Sequence, residues 1–252
     1  MTQAPSVSQT RARSSVQASP EAIKRPDDQR GHIDHGWLDA RHTFSFGRYM
    51  DPHWMGFRTL RVINEDRISP RMGFGEHPHR DMEIITYPVS GAVRHRDSLG
   101  HEEDIVHGII QHMSAGSGIR HSEFNPLDEA THLLQIWIEP REQGMEPGHQ
   151  SRAFPILDEP GRLHLLASPE GEGDALRIQA EARVLAGTFA EGDQAIHTLR
   201  GGLRHAWVQV VKGRLHANGK ELSAGDGLAL SEVESIDLRF SDDSEVLVFE
   251  LS

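Results

Sequence analysis

Eight short runs rich in β-branched and aromatic residues recur along the 252-residue chain between Gly, Pro, Asn and Asp: FRTLRVI, MEIITYPV, GIIQHM, THLLQIWI, ARVLAGTF, AWVQVV, SIDLRF and EVLVFE. Each fits a pleated, half-buried strand bounded by turn residues. No segment reads as a long amphipathic helix, which disfavours a parallel βαβ sheet and favours an all-β sandwich or barrel. The pattern also repeats. VSGAVRH at 89–95 returns as VKGRLHA at 211–217, and HGIIQHM at 107–113 is matched by AGDGLALS at 224–231. Gly91 then aligns with Gly213 and Gly108 with Gly225, at offsets of 122 and 117 residues that agree to within one short loop. The chain therefore reads as a duplicated β-barrel. Asn218-Gly219, between RLHA and KEL, predicts a tight hairpin, because a type I′ turn needs positive φ at both central positions.

Residues 1–29 are rich in Ser, Gln, Pro and Ala and hold few large apolar groups. They are expected to form a flexible tail, since little burial is on offer to offset the entropy of ordering. A first barrel is expected over 30–145 and a second over 146–252, with the break in the polar stretch around 141–160. The net charge of -12 argues against a general nucleic-acid surface. No run is apolar enough for a spanning helix, and no apolar signal-peptide core opens the chain, so a cytoplasmic protein acting on a small molecule is expected.

Cysteine is absent. Any metal must therefore be held by nitrogen and oxygen. Two segments offer such donors at positions i and i+2, His77-Pro78-His79 and His121-Ser122-Glu123. On a strand such a pair points to one face, so two neighbouring strands can turn three imidazoles and a carboxylate toward one point. That set suits Fe(II), Ni(II), Mn(II), Co(II) or Zn(II) and leaves coordination positions open for chemistry. Glu83, four residues after His79, competes with Glu123 for the carboxylate role, and strand parity alone does not separate them.

The segment GFGEHPHRDMEIITYPVSGAVRHRDS resembles the first cupin motif, and GIIQHMSAGSGIRHSEFN resembles the second, with Ser114 in place of the usual proline and His121 two residues late. Those departures, with HGWLDARHTFSFGRYMDPHWMGFRTLRVINED, EHPHRDMEIITY, MSAGSGIRHSE and LLQIWI, are similar to the pirin family, in particular its bacterial members assigned as quercetin 2,3-dioxygenases. The resemblance covers residues 31–252. It implies two tandem cupin (jelly-roll) barrels, a bicupin, with metal only in the first. It implies His77, His79, His121 and Glu123 as ligands, with Glu83 orienting a ligand histidine. It also implies dioxygenase activity on a flavonol with O₂, releasing carbon monoxide and a depside, with Glu123 able to accept the hydroxyl proton. Iron(II) is the first expectation for the metal, with Ni, Mn, Co or Zn as alternatives, and the protein is expected to be a monomer. Other family members resemble regulators that bind protein partners, one rival reading, and a cupin enzyme acting on another small metabolite is the other.

Duplication makes a further prediction. Carrying the ligand spacing into the second half lands on Leu199, Gly201, Leu238 and Phe240, none of which ligates, so the second barrel is expected to be a structural support. His197 and His205 lie nearby without partners. His32, His35 and His42, close to Trp37, Phe44 and Phe46, are expected to cap a core edge. Surface or strand-end roles are expected for His95, His101, His107 and His112, and a surface role for Arg120.

Overall fold

Short strands close two barrels of the same design, with central strands such as Glu83–Ser90 and Ser244–Leu251 buried on both faces. The computed structural model describes residues 21–200 and 202–252, and among these a 3-10 turn at Asp27–Gln29 is the one helical element. In the first barrel a seven-stranded sheet runs in the order Gly148–Ala153, Ile109–Ser114, Glu83–Ser90, Thr131–Ile138, Leu60–Ile68, Leu38–His42, Gly31–Asp34. A four-stranded sheet faces it, in the order Gly73–His79, Ile119–Phe124, Ala92–Asp97, Glu102–Val106. The second barrel repeats this, with seven strands from Glu21–Arg25 to Leu176–Arg177 against four: Gln194–Thr198, Ser235–Phe240, Arg214–Ala217 and Lys220–Ser223. The expected all-β bicupin architecture is what the chain adopts.

Matched glycines mark the duplication. Gly91 and Gly213 have φ of 77° and 79°, and Gly108 and Gly225 have 88° and 87°. A Cβ at Gly91 or Gly213 would also collide with Thr131 or Ser244, the residue that opens a central strand of each barrel. Both reasons demand glycine. The hairpin at Asn218-Gly219 has the two positive φ values, 46° and 75°, that its sequence predicts.

Two boundaries differ from the sequence expectation. Glu21–Arg25, read as part of the tail, is an edge strand paired with Gly227–Ser231 of the second barrel. Gly148–Ala153, read as the start of the second half, pairs with Ile109–Ser114 of the first. Both are polar edge strands whose order comes from a partner across space, so no apolar alternation announces them. The expectation of a flexible tail over residues 1–20 lies outside the described residues. From Glu21–Arg25 onward the chain is fastened to both barrels. Lys24 Nζ stands 2.7 Å from Asp226, and Arg30 bridges Asp27 and the Glu65 carboxylate at 2.6 Å.

The barrels pack through their large sheets. Trp207, fully buried, sits among Phe44, Trp54 and Phe57 with ring centroids 4.9, 6.0 and 5.9 Å away. Its indole N–H donates to Gln209 Oε1 at 3.2 Å. The Tyr87 hydroxyl donates to Glu245 across the same interface at 2.6 Å. Inside the second barrel Leu238 and Phe240 take the inward positions, and Phe240 stacks on Phe189 at 4.0 Å. Because Trp207 anchors both halves, Trp207→Ala is expected to lower the unfolding free energy by about 3–5 kcal/mol. Chemical denaturation checks this, and a loss under about 1 kcal/mol would show that the interface contributes little.

Candidate metal centre

The strand Gly73–His79 directs His77 and His79 to the interior of the first barrel. Its antiparallel neighbour Ile119–Phe124 sets His121 directly opposite His77. One ring nitrogen from each of the three histidines lies within 4.8 Å of the others. Between His121 and Glu123 the register slips, so that Glu123 pairs with Phe74. Glu123 is nonetheless buried and inward, with a carboxylate oxygen within 4.8 Å of ring nitrogens of His121 and His95.

Proton accounting shows what this cluster is built for. His77 Nδ1 lies 2.8 Å from the Gly75 carbonyl oxygen. A carbonyl only accepts, so Nδ1 carries the proton and Nε2 of the neutral ring bears a lone pair. That lone pair faces His121 Nε2 at 3.1 Å. Two neutral imidazoles held this way repel unless a cation or proton lies between them. Donor atoms about 2.1 Å from one ion stand roughly 3.0–3.4 Å apart, which matches the spacing. Burial, then the neighbouring His121 and His77, lowers the pKa of His79 to about 4. Burial, then His77 and His95, lowers that of His121 to about 3. Both rings are thus neutral at physiological pH, the form that ligates. The donor set fits a divalent transition ion.

The carboxylate is oriented by two groups that the sequence reading passed over. Gln135 Nε2 donates to both oxygens of Glu123, at 2.9 and 2.7 Å, and Thr86 Oγ1 donates to one at 3.2 Å. A glutamine amid the apolar run THLLQIWI was the available signal, because a buried polar residue needs a partner. His77, His79, His121 and Glu123 line one cavity of about 400 Å³, and Trp37, Phe46, Phe74, Ile84 and Trp137 supply its apolar walls. Asn64, Asp66 and Gln135 form a polar row on the same wall.

Several expectations are revised. Glu83 does not share the inward face. A turn with Asp81 at φ 50° separates it from His79, so parity does not carry across, and its strand turns Ile84 and Thr86 inward instead. Glu83 faces the inter-barrel side. It binds His112 Nε2 at 2.8 Å, the Ser114 hydroxyl at 2.6 Å and the Gln179 backbone N–H at 2.8 Å, so it orients no candidate ligand. His112 is correspondingly buried, and His107 pairs with Glu245 at 3.0 Å in the interface. His95 is fully buried beside His121, where a surface or strand-end role was expected. The alternation His95-Arg96-Asp97 was the signal, since two arginines flank the inward histidine. Of the amino-terminal histidines, His42 is buried on Asn64 at 2.7 Å, whereas His32 and His35 are exposed. Arg120 points outward to Glu76 at 2.7 Å. In the second barrel His197 pairs with Glu250 at 2.7 Å and His205 with Arg58 at 3.1 Å.

Comparison with known proteins agrees with this architecture. The family model Pirin matches residues 23–138, and that of the quercetinase C-terminal cupin domain matches residues 165–251. Quercetin 2,3-dioxygenase of Escherichia coli (strain K12) is 45% identical over 228 residues, which cover 90% of this chain and 97% of that protein. A pirin-like protein of Caulobacter vibrioides is 43% identical over 226 residues, 89% of this chain and 97% of its own length. The crystal structure of bacterial pirin YhhW from Escherichia coli in complex with nickel(II) superposes with a TM-score of 0.87 at 44% identity, covering 92% of this chain and 99% of that one.

Burial, then the charges of Glu123, Glu65 and Asp39, raises the pKa of Asp66 from the ordinary 3.8 to about 8. The native protein holds this proton where the unfolded chain has released it. Its contribution to stability is therefore complete below about 4 and is lost as pH rises through about 8. Asp66→Asn, which cannot ionise, is expected to flatten the fall in stability of the metal-free protein over that window. Thermal melts across pH would refute this if wild type and variant ran parallel.

Proposed function

The chain belongs to the pirin family, and from that premise we propose that it is a metal-dependent dioxygenase cleaving a flavonol such as quercetin with O₂. The observation that carries the reading is the opposed pair of ring nitrogens, His77 Nε2 and His121 Nε2 at 3.1 Å, on the wall of an aromatic cavity. His77, His79, His121 and Glu123 hold the ion in this reading, and iron(II) or nickel(II) satisfies three imidazoles and one carboxylate, as do Mn, Co and Zn. When bound, a divalent ion of this kind supplies Lewis acidity toward the flavonol 3-hydroxyl oxygen.

The chain's own residues supply the rest. A volume of about 400 Å³ lies in the range of roughly 300–1,000 Å³ usual for small-molecule sites. Trp37, Phe46, Phe74 and Trp137 offer flat apolar surface to a planar polyphenol and exclude water from it. Glu123, steadied by Gln135 and Thr86, accepts the proton of the 3-hydroxyl. Asp66 keeps its proton at neutral pH and so faces substrate as a hydrogen-bond donor rather than as a second base. The separation of roles follows from environment, one carboxylate partnered by donors and the other buried beside like charge.

Protein loaded with iron(II) or nickel(II) is expected to consume one O₂ and release one carbon monoxide per quercetin cleaved. Absence of turnover with either ion would defeat the flavonol assignment. The carboxylates separate in a second measurement. Glu123→Gln is expected to weaken metal binding by more than the roughly 10–100-fold typical of a supporting partner, whereas Glu83→Gln leaves it near wild type. Equal losses in chelator competition would contradict the assignment of Glu123.

A further inference from the structure

The first barrel carries a second group of donors that the proposed reaction does not use. One donor atom each of His95, Asp97 and His149 lies within 4.8 Å of the others. These side chains are 0, 0 and 7% exposed. His95 places Nδ1 3.5 Å from His121 Nδ1, while its other nitrogen, Nε2, stands 3.3 Å from Asp97 Oδ2. His101, on the solvent side, brings Nδ1 to 3.0 Å from the same oxygen. Ring centroids are 5.1 Å apart for His95 and His149 and 4.5 Å for His149 and His101. The three histidines of the first centre stand at 4.5, 4.8 and 4.8 Å, much the same spacing.

Hydrogen bonding accounts for part of this cluster and fails for the rest. His149 Nε2 and Glu103 Oε1 are 3.0 Å apart and both atoms are buried, yet no hydrogen bond joins them and neither finds another partner among the described residues. Distance is not the obstacle, so the oxygen must lie well off the axis along which the ring nitrogen would donate. Buried polar atoms left this way call for an explanation. Two ligands at a right angle around one ion, each about 2.1 Å from it, stand roughly 3.0 Å apart, and each lies about 45° off the other's lone pair. That arrangement is poor for an N–H and suits a shared cation. Charge points the same way. No Lys or Arg among the described residues pairs with Asp97 or Glu103, because Arg94 and Arg96 turn to Asp104 and Glu102 instead. A divalent ion balances two such carboxylates.

We infer that His95, Asp97 and His149, with Glu103 beside them, hold a second divalent ion, and zinc(II) suits two imidazoles and two carboxylates. Such an ion would tie two sheets together. His95 and Asp97 share a face of Ala92–Asp97, and Glu103 lies on Glu102–Val106, an edge of the four-stranded sheet. His149 lies on Gly148–Ala153, an edge of the seven-stranded sheet. Ser151 Oγ already donates to Glu103 Oε2 across the same gap at 2.6 Å. The ion thus fastens a polar edge strand that has no apolar face of its own to bury.

Metal counting tests this apart from the first centre. Metal-stripped protein saturated with zinc(II), freed of excess by gel filtration and submitted to elemental analysis is expected to carry two ions per chain. His149→Ala is expected to carry one, and so is the double variant His77→Ala with His79→Ala. The ion each retains also reports that it has folded. Amide exchange over residues 148–153 is expected to slow when zinc binds to wild type or to the double variant, and to ignore zinc in His149→Ala. A wild type with one ion that the double variant loses overturns the inference, as do two ions in both wild type and His149→Ala, or exchange that no ion moves. Should His149→Ala not fold, wild type and the double variant still decide the count. One ion that His149→Ala abolishes and the double variant keeps would uphold this site and strike the first centre instead.

Discussion

Two imidazole nitrogens facing each other across 3.1 Å inside a barrel form the contact around which the first half of the molecule is organised. With the proton of His77 held at its far nitrogen by the Gly75 carbonyl, the pair is satisfied only by a proton or a cation between the two facing nitrogens. The strand pairing that sets His121 opposite His77 creates the arrangement, and neighbours hold each ring in its place. Trp137 packs edge-on against His79 at 4.9 Å, and Gln135 on the same strand steadies Glu123. One strand thus serves two members of the cluster because residues two apart share a face.

The second barrel shows what the same scaffold becomes without that constraint. Its turn glycines keep the φ values of the first, yet Leu238 and Phe240 fill the interior where a polar site would stand. An apolar filling needs no hydrogen-bond partners, so the interior around Leu238 and Phe240 packs as a hydrophobic core. Its large sheet instead covers that of the first barrel, with Trp207 at the centre of the contact. The edge strand Glu21–Arg25 adds a tether, since it pairs with the second barrel immediately before the chain enters the first.

Charge is distributed with equal economy. Of the five carboxylates of the first barrel that are buried among the described residues, four show how different their environments are. Glu123 receives N–H and O–H donors, Glu83 is bound by His112 and Ser114, Asp97 by backbone amides, and Asp66 faces other acids and keeps its proton. Burial raises the pKa of any carboxylate, so it is the partners that decide which are charged.

Duplication, the all-β class and the inward pairing of His77 with His79 were legible in the chain because they rest on local rules: turn glycines, the two-residue period of a strand and the spacing of donors. The Asn218-Gly219 hairpin was legible for the same reason. Glu83 was misread because parity holds only within a strand, and the turn at Asp81 resets it. His95 was given a surface or strand-end role because its burial depends on which strand lies beside its own. Glu21–Arg25 and Gly148–Ala153 are strands only because a distant edge offers them hydrogen bonds. Sequence determined which donors were available and which could share a face. Tertiary structure alone decided which of them meet and which proton each carries, because both depend on contacts between strands far apart in the chain.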